Sequence, residues 1–455
     1  MISIGKLFGT FGIRGIANEE VSPELAYELG LALSTMLGDE NRKIAVGYDP
    51  RTSSVMLEHS IVSGITSGGC DAVRFGLVPT PVLSYGISHF DCDAGIMITA
   101  SHNPPEYNGI KFWDGNGAGF TRERENELEK IFREGGKTAA WNEIGDTKKV
   151  DALSPYKKAL LDRVTEVEGS IKVIIDCANG AGSVIAPQIL RELGCKVVSL
   201  NSHPDGHFPG RLPEPTAEHI TDLTSAVTAM NADIGIAHDG DADRTIIVDE
   251  NGEILSGDLV FALAGVNYLR DTENPRIITT VATSSVLDDT AGRLGGKIVR
   301  TKVGEPELVE EYRKNGGDLA GEENGGVIFP DWTFCRDGIM TDAQIIDYLS
   351  TTGKTVSELR KTLPEYQQIK RKTECPNDLK QKVVDDLAHE FKDYNPDRTD
   401  GLRIELEEGW LLLRPSGTEP IFRCFSEAKN KKNAEELADK GMKAIKESIE
   451  KLKRK

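Results

Sequence analysis

Apolar residues fall along this chain in short uninterrupted runs, separated by stretches where they return every third or fourth position. Ser22-Pro23 reads as a helix start, with a capping serine and proline at the first helical position. Leu25, Leu29, Leu33 and Leu37 then line one face until Gly38 stops the pattern. The run Ile44 to Tyr48 predicts a buried strand, followed by the turn Asp49-Pro-Arg-Thr-Ser53 and a second helix. The same unit returns at Lys172 to Asp176, with Ala178-Asn-Gly-Ala-Gly182 and a helix through Leu193. It returns again at Arg276 to Val281, with Ala282-Thr-Ser-Ser285 and a helix toward Leu294. Strands alternating with helical patterns imply parallel α/β sheets, and three such units imply three related domains.

The end of the chain reads differently. Leu402 to Leu406 and Trp410 to Leu413 are strand-like and joined by a Glu407-Glu-Gly409 turn, with a third strand near Ile421 to Phe425. A closing helix carries Leu437, Ala438, Met442, Ile445, Ile449 and Leu452 on one face. That pattern predicts a smaller C-terminal α+β domain packed as a lid. The expected division is 1–150, 151–252, 253–366 and 367–455.

Composition narrows the function classes. The 455 residues exceed one compact core, as several domains require. With 73 acidic against 54 basic residues the net charge is −19, which disfavours nucleic acid and anionic membrane surfaces as partners. An anionic small substrate would need a locally basic pocket. Seven cysteines, odd in number and without a C-x-x-C pair, read as free thiols in a reducing compartment. The apolar opening is broken by Lys6 and glycines and makes a poor signal sequence, and no stretch is long enough to span a bilayer. A cytoplasmic protein is expected, as a monomer or homo-oligomer.

Four segments carry chemistry. In the first, Thr99-Ala-Ser-His-Asn-Pro-Pro-Glu-Tyr-Asn-Gly-Ile-Lys-Phe112, the apolar run Ala94 to Ile98 places Ser101 beyond a strand's C-terminal end. Ligands bind at that end in open α/β sheets. In the second, Asp239-Gly-Asp-Ala-Asp-Arg244, three alternating aspartates between two strand-like runs can converge on one hard cation, with oxygen ligands suited to Mg²⁺ or Ca²⁺. An EF-hand register puts Glu250 at its twelfth position but Arg244 where glycine is required, and no flanking helices are apparent. In the third, Gly321-Glu-Glu-Asn-Gly-Gly326, Glu322 and Asn324 could face sugar hydroxyls, although glycine-rich charged turns are mostly structural. In the fourth, Arg414-Pro-Ser-Gly-Thr-Glu-Pro420 offers a guanidinium, hydroxyls and a free amide to a phosphate, without the lysine of a Walker loop. Near the amino terminus Arg14 stands between glycines, again suited to an oxyanion.

The ordered set resembles the α-D-phosphohexomutase superfamily over essentially the whole chain, nearest to archaeal-type phosphoglucosamine mutases and phosphomannomutases. The resemblance implies four domains around a central cleft, three related mixed or parallel α/β domains plus the C-terminal one. It implies that Ser101 carries a phosphoryl group and, with Asp239, Asp241 and Asp243, holds Mg²⁺. Arg14, His102, Lys111 and Arg244 would surround the phosphoserine, with Lys111 a general-base candidate. Glu322 and Asn324 would contact the sugar; Arg414, Ser416, Gly417 and Thr418 would hold the non-reacting phosphate. The implied reaction interconverts hexose 6-phosphate and hexose 1-phosphate through a hexose 1,6-bisphosphate, with glucosamine preferred and mannose or glucose as alternatives. Many bacterial members end the third segment in serine-glycine-histidine; here Asn324-Gly325-Gly326 supplies no histidine, which leaves the acid/base group open between His102 and Lys111. A phosphotransferase losing its phosphoserine to water and a non-catalytic sugar-phosphate sensor are the rival readings. A sensor would be expected to have lost Ser101 or the aspartates.

Overall fold

A computed structural model describes residues 7–9, 12–38, 42–165, 167, 170–417 and 419–454. The alternation read above folds into four sheets in chain order. In the first, Ala94–Ile98, Lys43–Tyr48, Asp71–Leu77 and Thr147–Lys149 run parallel, and two antiparallel strands, Tyr107–Asp114 and Ile13–Ile16, extend the edge beyond Ala94–Ile98. The second sheet places Lys172–Asp176 between Lys196–Leu200 and Ile234–His238, with Thr245–Asp249 antiparallel at the edge. The third centres on Arg276–Thr280 and Leu319–Gly321, and finishes in the antiparallel pair Val327–Phe329 and Thr333–Arg336. The fourth is wholly antiparallel, in the order Gln367–Glu374, Ile421–Ala428, Gly409–Pro415, Leu402–Leu406.

Local chemistry accounts for the elements. The Ser22 hydroxyl accepts from the Leu25 amide to start helix Pro23–Leu37, and Gly38 ends it at φ 85°, where a side chain would be strained. Strand Ala94–Ile98 is buried on both faces, as expected for a central parallel strand. The closing helix, Lys431–Lys453, buries Leu437, Ala438, Ile445 and Ile449 against the fourth sheet.

One apolar cluster runs through the first three sheets, from Phe75, Leu83 and Met97 through Ile175 and Ile236 to Phe261 and Phe329. The C-terminal unit has its own core around Leu387, Leu411, Phe422 and Ile445. It meets the third sheet across a smaller seam of Val281, Ala282, Trp410 and Leu412. At that seam the buried Arg403 guanidinium lies 4.1 Å from the Trp410 ring and donates to the Val281 carbonyl at 2.7 Å. The C-terminal domain is therefore seated by specific contacts.

Candidate active site

Ser101 follows strand Ala94–Ile98 in the left-handed region, at φ 52°. A non-glycine residue held there needs its surroundings to fix it. Arg51 supplies that. Its buried guanidinium donates to the carbonyls of Ser101 (2.9 Å), Asn103 (2.6 Å), Pro104 (2.6 Å) and Tyr107 (2.8 Å), and its Nε pairs with Asp49 at 3.0 Å. Asp49 also accepts from the Thr99 hydroxyl at 2.7 Å, and Thr99 Oγ1 accepts from the Ser101 amide at 2.8 Å. Sequence reasoning missed Arg51: an arginine in a polar turn carries no sign of the four carbonyls it gathers.

The acidic segment connects strands Ile234–His238 and Thr245–Asp249, which places it against the serine loop. A Cβ on Gly240 would lie 2.4 Å from the Ser101 carbonyl oxygen, so only glycine admits the approach. The Ser101 hydroxyl donates to Asp239 Oδ2 at 2.9 Å, and its Oγ lies 3.3 Å from His102 Nδ1. Asp239, Asp241 and Asp243 are all buried, with ligand oxygens within 4.8 Å of one another. Asp241 Oδ2 accepts from the Thr80 hydroxyl at 2.7 Å and from Lys111 Nζ at 3.1 Å. Asp243 Oδ2 accepts from Arg336 at 2.6 Å.

Electrostatics follow from that crowding. Burial first, then the charges of Asp243 and Asp241, pushes the Asp239 carboxyl well above its ordinary range. Burial would also raise Asp241, yet Lys111 and the Thr80 hydroxyl outweigh it and hold that group below the usual carboxylate range. Asp241 Oδ1 and Asp243 Oδ1 are buried with no hydrogen-bond partner. Two orphaned carboxylate oxygens beside a third, mutually repelled carboxylate fit a hard divalent cation with oxygen ligands. The EF-hand register fails: Glu250 bonds the Ser357 hydroxyl at 2.5 Å instead of joining the acidic loop.

Positive charge closes the other side. Lys111 and Arg14 sit on the paired strands Tyr107–Asp114 and Ile13–Ile16. Arg14 donates to Asn103 at 2.9 Å, and burial followed by the Arg244 charge lowers it to about 10. Arg244 chiefly, then burial and Arg14, drives His102 far below the usual imidazole value, so the ring is neutral. Arg14 Nε and Arg244 Nε are buried without hydrogen-bond partners; Arg244 Nε lies 3.6 Å from Asp243 Oδ1, and Arg14 Nε is poised for an anion.

Glu322 and Asn324 lie in the turn between Leu319–Gly321 and Val327–Phe329. Glu322 accepts from the Gly304 amide at 3.1 Å and from Arg336 at 2.9 Å, while Asn324 Oδ1 accepts from the Gly326 amide at 3.1 Å. The Gly325 carbonyl accepts from the Thr245 amide at 3.3 Å, which sets this turn against the acidic loop's exit. Arg414 Nε donates to Asp400 at 2.6 Å, and the same Asp400 oxygen accepts from the Val303 amide at 3.1 Å. The successive amides of Val303 and Gly304 thus bond Asp400, the partner of Arg414, and Glu322 of the third loop respectively. Ser416 and Gly417 follow Arg414, with Lys380 Nζ donating to the Ser416 carbonyl at 2.6 Å; Thr418 lies outside the described residues. Lys380 and Arg336 were not foreseen, since neither stands in a recognisable motif.

Sequence-family models of phosphoglucomutase/phosphomannomutase match in order: α/β/α domain I over residues 5–139, domain II over 154–252, domain III over 256–366 and the C-terminal domain over 372–444. The chain belongs to the phosphoglucomutase/phosphomannomutase family. It is 48% identical to a phosphoglucomutase/phosphomannomutase of Thermococcus kodakarensis, across 98% of this chain and 100% of that one. It is 44% identical to a probable phosphoglucosamine mutase of Pyrococcus abyssi, across 98% and 99%. The crystal structure of a phosphoglucomutase/phosphomannomutase family protein from Burkholderia thailandensis superposes with a TM-score of 0.89 at 27% identity, covering 97% of each chain. Among the described residues no helix is long and apolar enough to cross a membrane.

Proposed function

We propose that this chain is a hexose-phosphate mutase in which Ser101 carries the phosphoryl group. The observation that carries the reading is the Ser101 hydroxyl, 2.9 Å from Asp239, between a buried carboxylate cluster whose Asp241 Oδ1 accepts no hydrogen bond and the buried guanidinium of Arg14, whose Nε donates none. Asp239, Asp241 and Asp243, with the phosphoserine, would hold Mg²⁺, which supplies charge neutralisation to phosphoryl transfer. Arg14 and Arg244 face the phosphoryl oxygens. In the forward half-reaction the serine O–P bond breaks and a bond forms from phosphorus to the free hydroxyl of a hexose monophosphate. The hydroxyl proton passes to a neighbouring base, for which neutral His102 and Lys111 are the candidates. Glu322 and Asn324 hold the sugar, while Arg414, Ser416, Gly417 and Thr418 hold its other phosphate. The hexose 1,6-bisphosphate so formed turns over, and its other phosphoryl group returns to Ser101. The retained Ser101 and intact aspartate set argue against a sugar-phosphate sensor.

Glucosamine 6-phosphate is the proposed substrate, supported by the name of the Pyrococcus abyssi relative. Mannose or glucose phosphates are the second reading, favoured by the name of the Thermococcus kodakarensis relative. Steady-state assays with the three 6-phosphates, each primed with its bisphosphate, decide between them. A preference for glucosamine 6-phosphate is expected, and a higher kcat/KM for mannose or glucose would select the second reading.

A further inference from the structure

Arg336 bonds carboxylates from separate parts of the candidate site. Its Nη2 donates to Asp243 of the acidic loop at 2.6 Å, its Nη1 to Glu322 of the sugar loop at 2.9 Å, and its Nε lies 2.9 Å from Glu305, on helix Glu305–Asn315. All four side chains are buried. A planar guanidinium can hold three carboxylates in fixed directions; an ammonium cannot. The Arg336 stem is fixed as well, because a Cβ on Gly326 would lie 2.4 Å from Arg336 Cδ. Gly326 has no positive φ to demand glycine, so the arginine's packing is what demands it. The histidine absent from position 326 therefore has no room: the Arg336 stem fills that space.

We propose that Arg336 is a positioning residue that couples the sugar loop to the metal-binding loop, resting on the assignment above of Asp243 as a metal ligand. By fixing Asp243 Oδ2 it leaves Oδ1, which accepts no hydrogen bond and lies 3.6 Å from Arg244 Nε, as the oxygen that would face the cation. Because the same guanidinium holds Glu322, a change at the sugar loop redistributes its bonds and is felt at Asp243. The coupling crosses from the third sheet to the second through one side chain.

Calorimetric titration of the full-length, unphosphorylated protein with Mn²⁺ alone tests this without turnover. Removing a group that orients a metal ligand weakens binding by about tenfold or more, so R336K should raise the Mn²⁺ Kd by that factor. E322Q should weaken Mn²⁺ binding in the wild-type background and add little in the R336K background. A uniform electrostatic effect of E322Q would be the same in both and would overturn the proposal. Should R336K fail to fold, G326A serves: its methyl group displaces the Arg336 stem without changing any charge, and it should also raise the Mn²⁺ Kd. A structural role alone would lower the thermal midpoint of G326A and leave Mn²⁺ affinity untouched, which also overturns the coupling. Absence of Mn²⁺ binding in the wild type, or unchanged affinity in D241N, would instead overturn the metal-site assignment and the coupling with it.

Discussion

Arg51→Met should be among the most damaging single substitutions in the chain, and the structure sets the scale. The guanidinium is buried, pairs with Asp49 and satisfies the carbonyls of Ser101, Asn103, Pro104 and Tyr107. Removing one partner of a buried ion pair costs about 3–5 kcal/mol, and the four stranded carbonyls add to that. Asp49 sets the pH dependence. Burial already raises its carboxyl despite Arg51, and without Arg51 it rises further. The folded variant then keeps a proton that the unfolded chain releases, so its stability falls as pH rises. The deficit of Arg51→Met relative to wild type should thus be larger at pH 8 than at pH 5. Urea unfolding followed by tryptophan fluorescence, to which Trp113, buried in the same domain, contributes, reads the effect. A loss below about 1 kcal/mol, the size of an ordinary substitution, would refute the role given to Arg51.

Asp241→Asn should raise the Mg²⁺ concentration needed for half-maximal activity and lower kcat sharply; activity indifferent to chelators and to this substitution would remove the metal from the account. Arg414→Ala should raise substrate KM by about tenfold or more, since a charge-assisted contact to phosphate contributes about 1.5–3 kcal/mol, with the thermal midpoint almost unchanged. An unaltered KM would exclude Arg414 from phosphate binding. Asp258, whose carboxyl accepts from the Ser284 amide at 2.8 Å, is pushed up to about 7, chiefly by burial. Its folded state retains a proton that the unfolded chain gives up at lower pH, so this group's contribution to stability falls as pH rises toward 7. Asp258→Asn should therefore gain stability relative to wild type on going from pH 5 to pH 8, by up to about 2.5 kcal/mol less what the helix N-terminus returns to the charged form. An equal difference at both pH values would contradict this.

Local patterns in the chain carried much of the architecture. The capped helix Pro23–Leu37 and the buried run Ala94–Ile98 depend on spacing within a few residues, which a sequence displays directly. Tyr107–Asp114 was harder: Pro104, Pro105 and Gly109 make the segment look like loop, and its strand character comes from pairing on both sides with Ile13–Ile16 and Ala94–Ile98. The site divides in the same way. Ser101 and the aspartates stand in dense motifs. Arg51, Arg336 and Lys380 act on carbonyls and carboxylates contributed by other segments, so their importance exists only once the chain has folded. Gly326 illustrates the limit best, since its small size is explained by Arg336, ten positions further on in the chain.

The central claim is phosphoryl transfer through Ser101, and intact-protein mass spectrometry tests it most directly. After incubation with glucose 1,6-bisphosphate and Mg²⁺, the wild type should gain the mass of one phosphoryl group, mapped to the peptide containing Ser101. Adding excess hexose 6-phosphate should discharge that group onto the sugar as bisphosphate. Ser101→Ala, with its fold checked by circular dichroism, should gain no mass and show no mutase activity. Mutase turnover near the wild-type rate in Ser101→Ala, or a stable phosphate on another residue, would contradict the account.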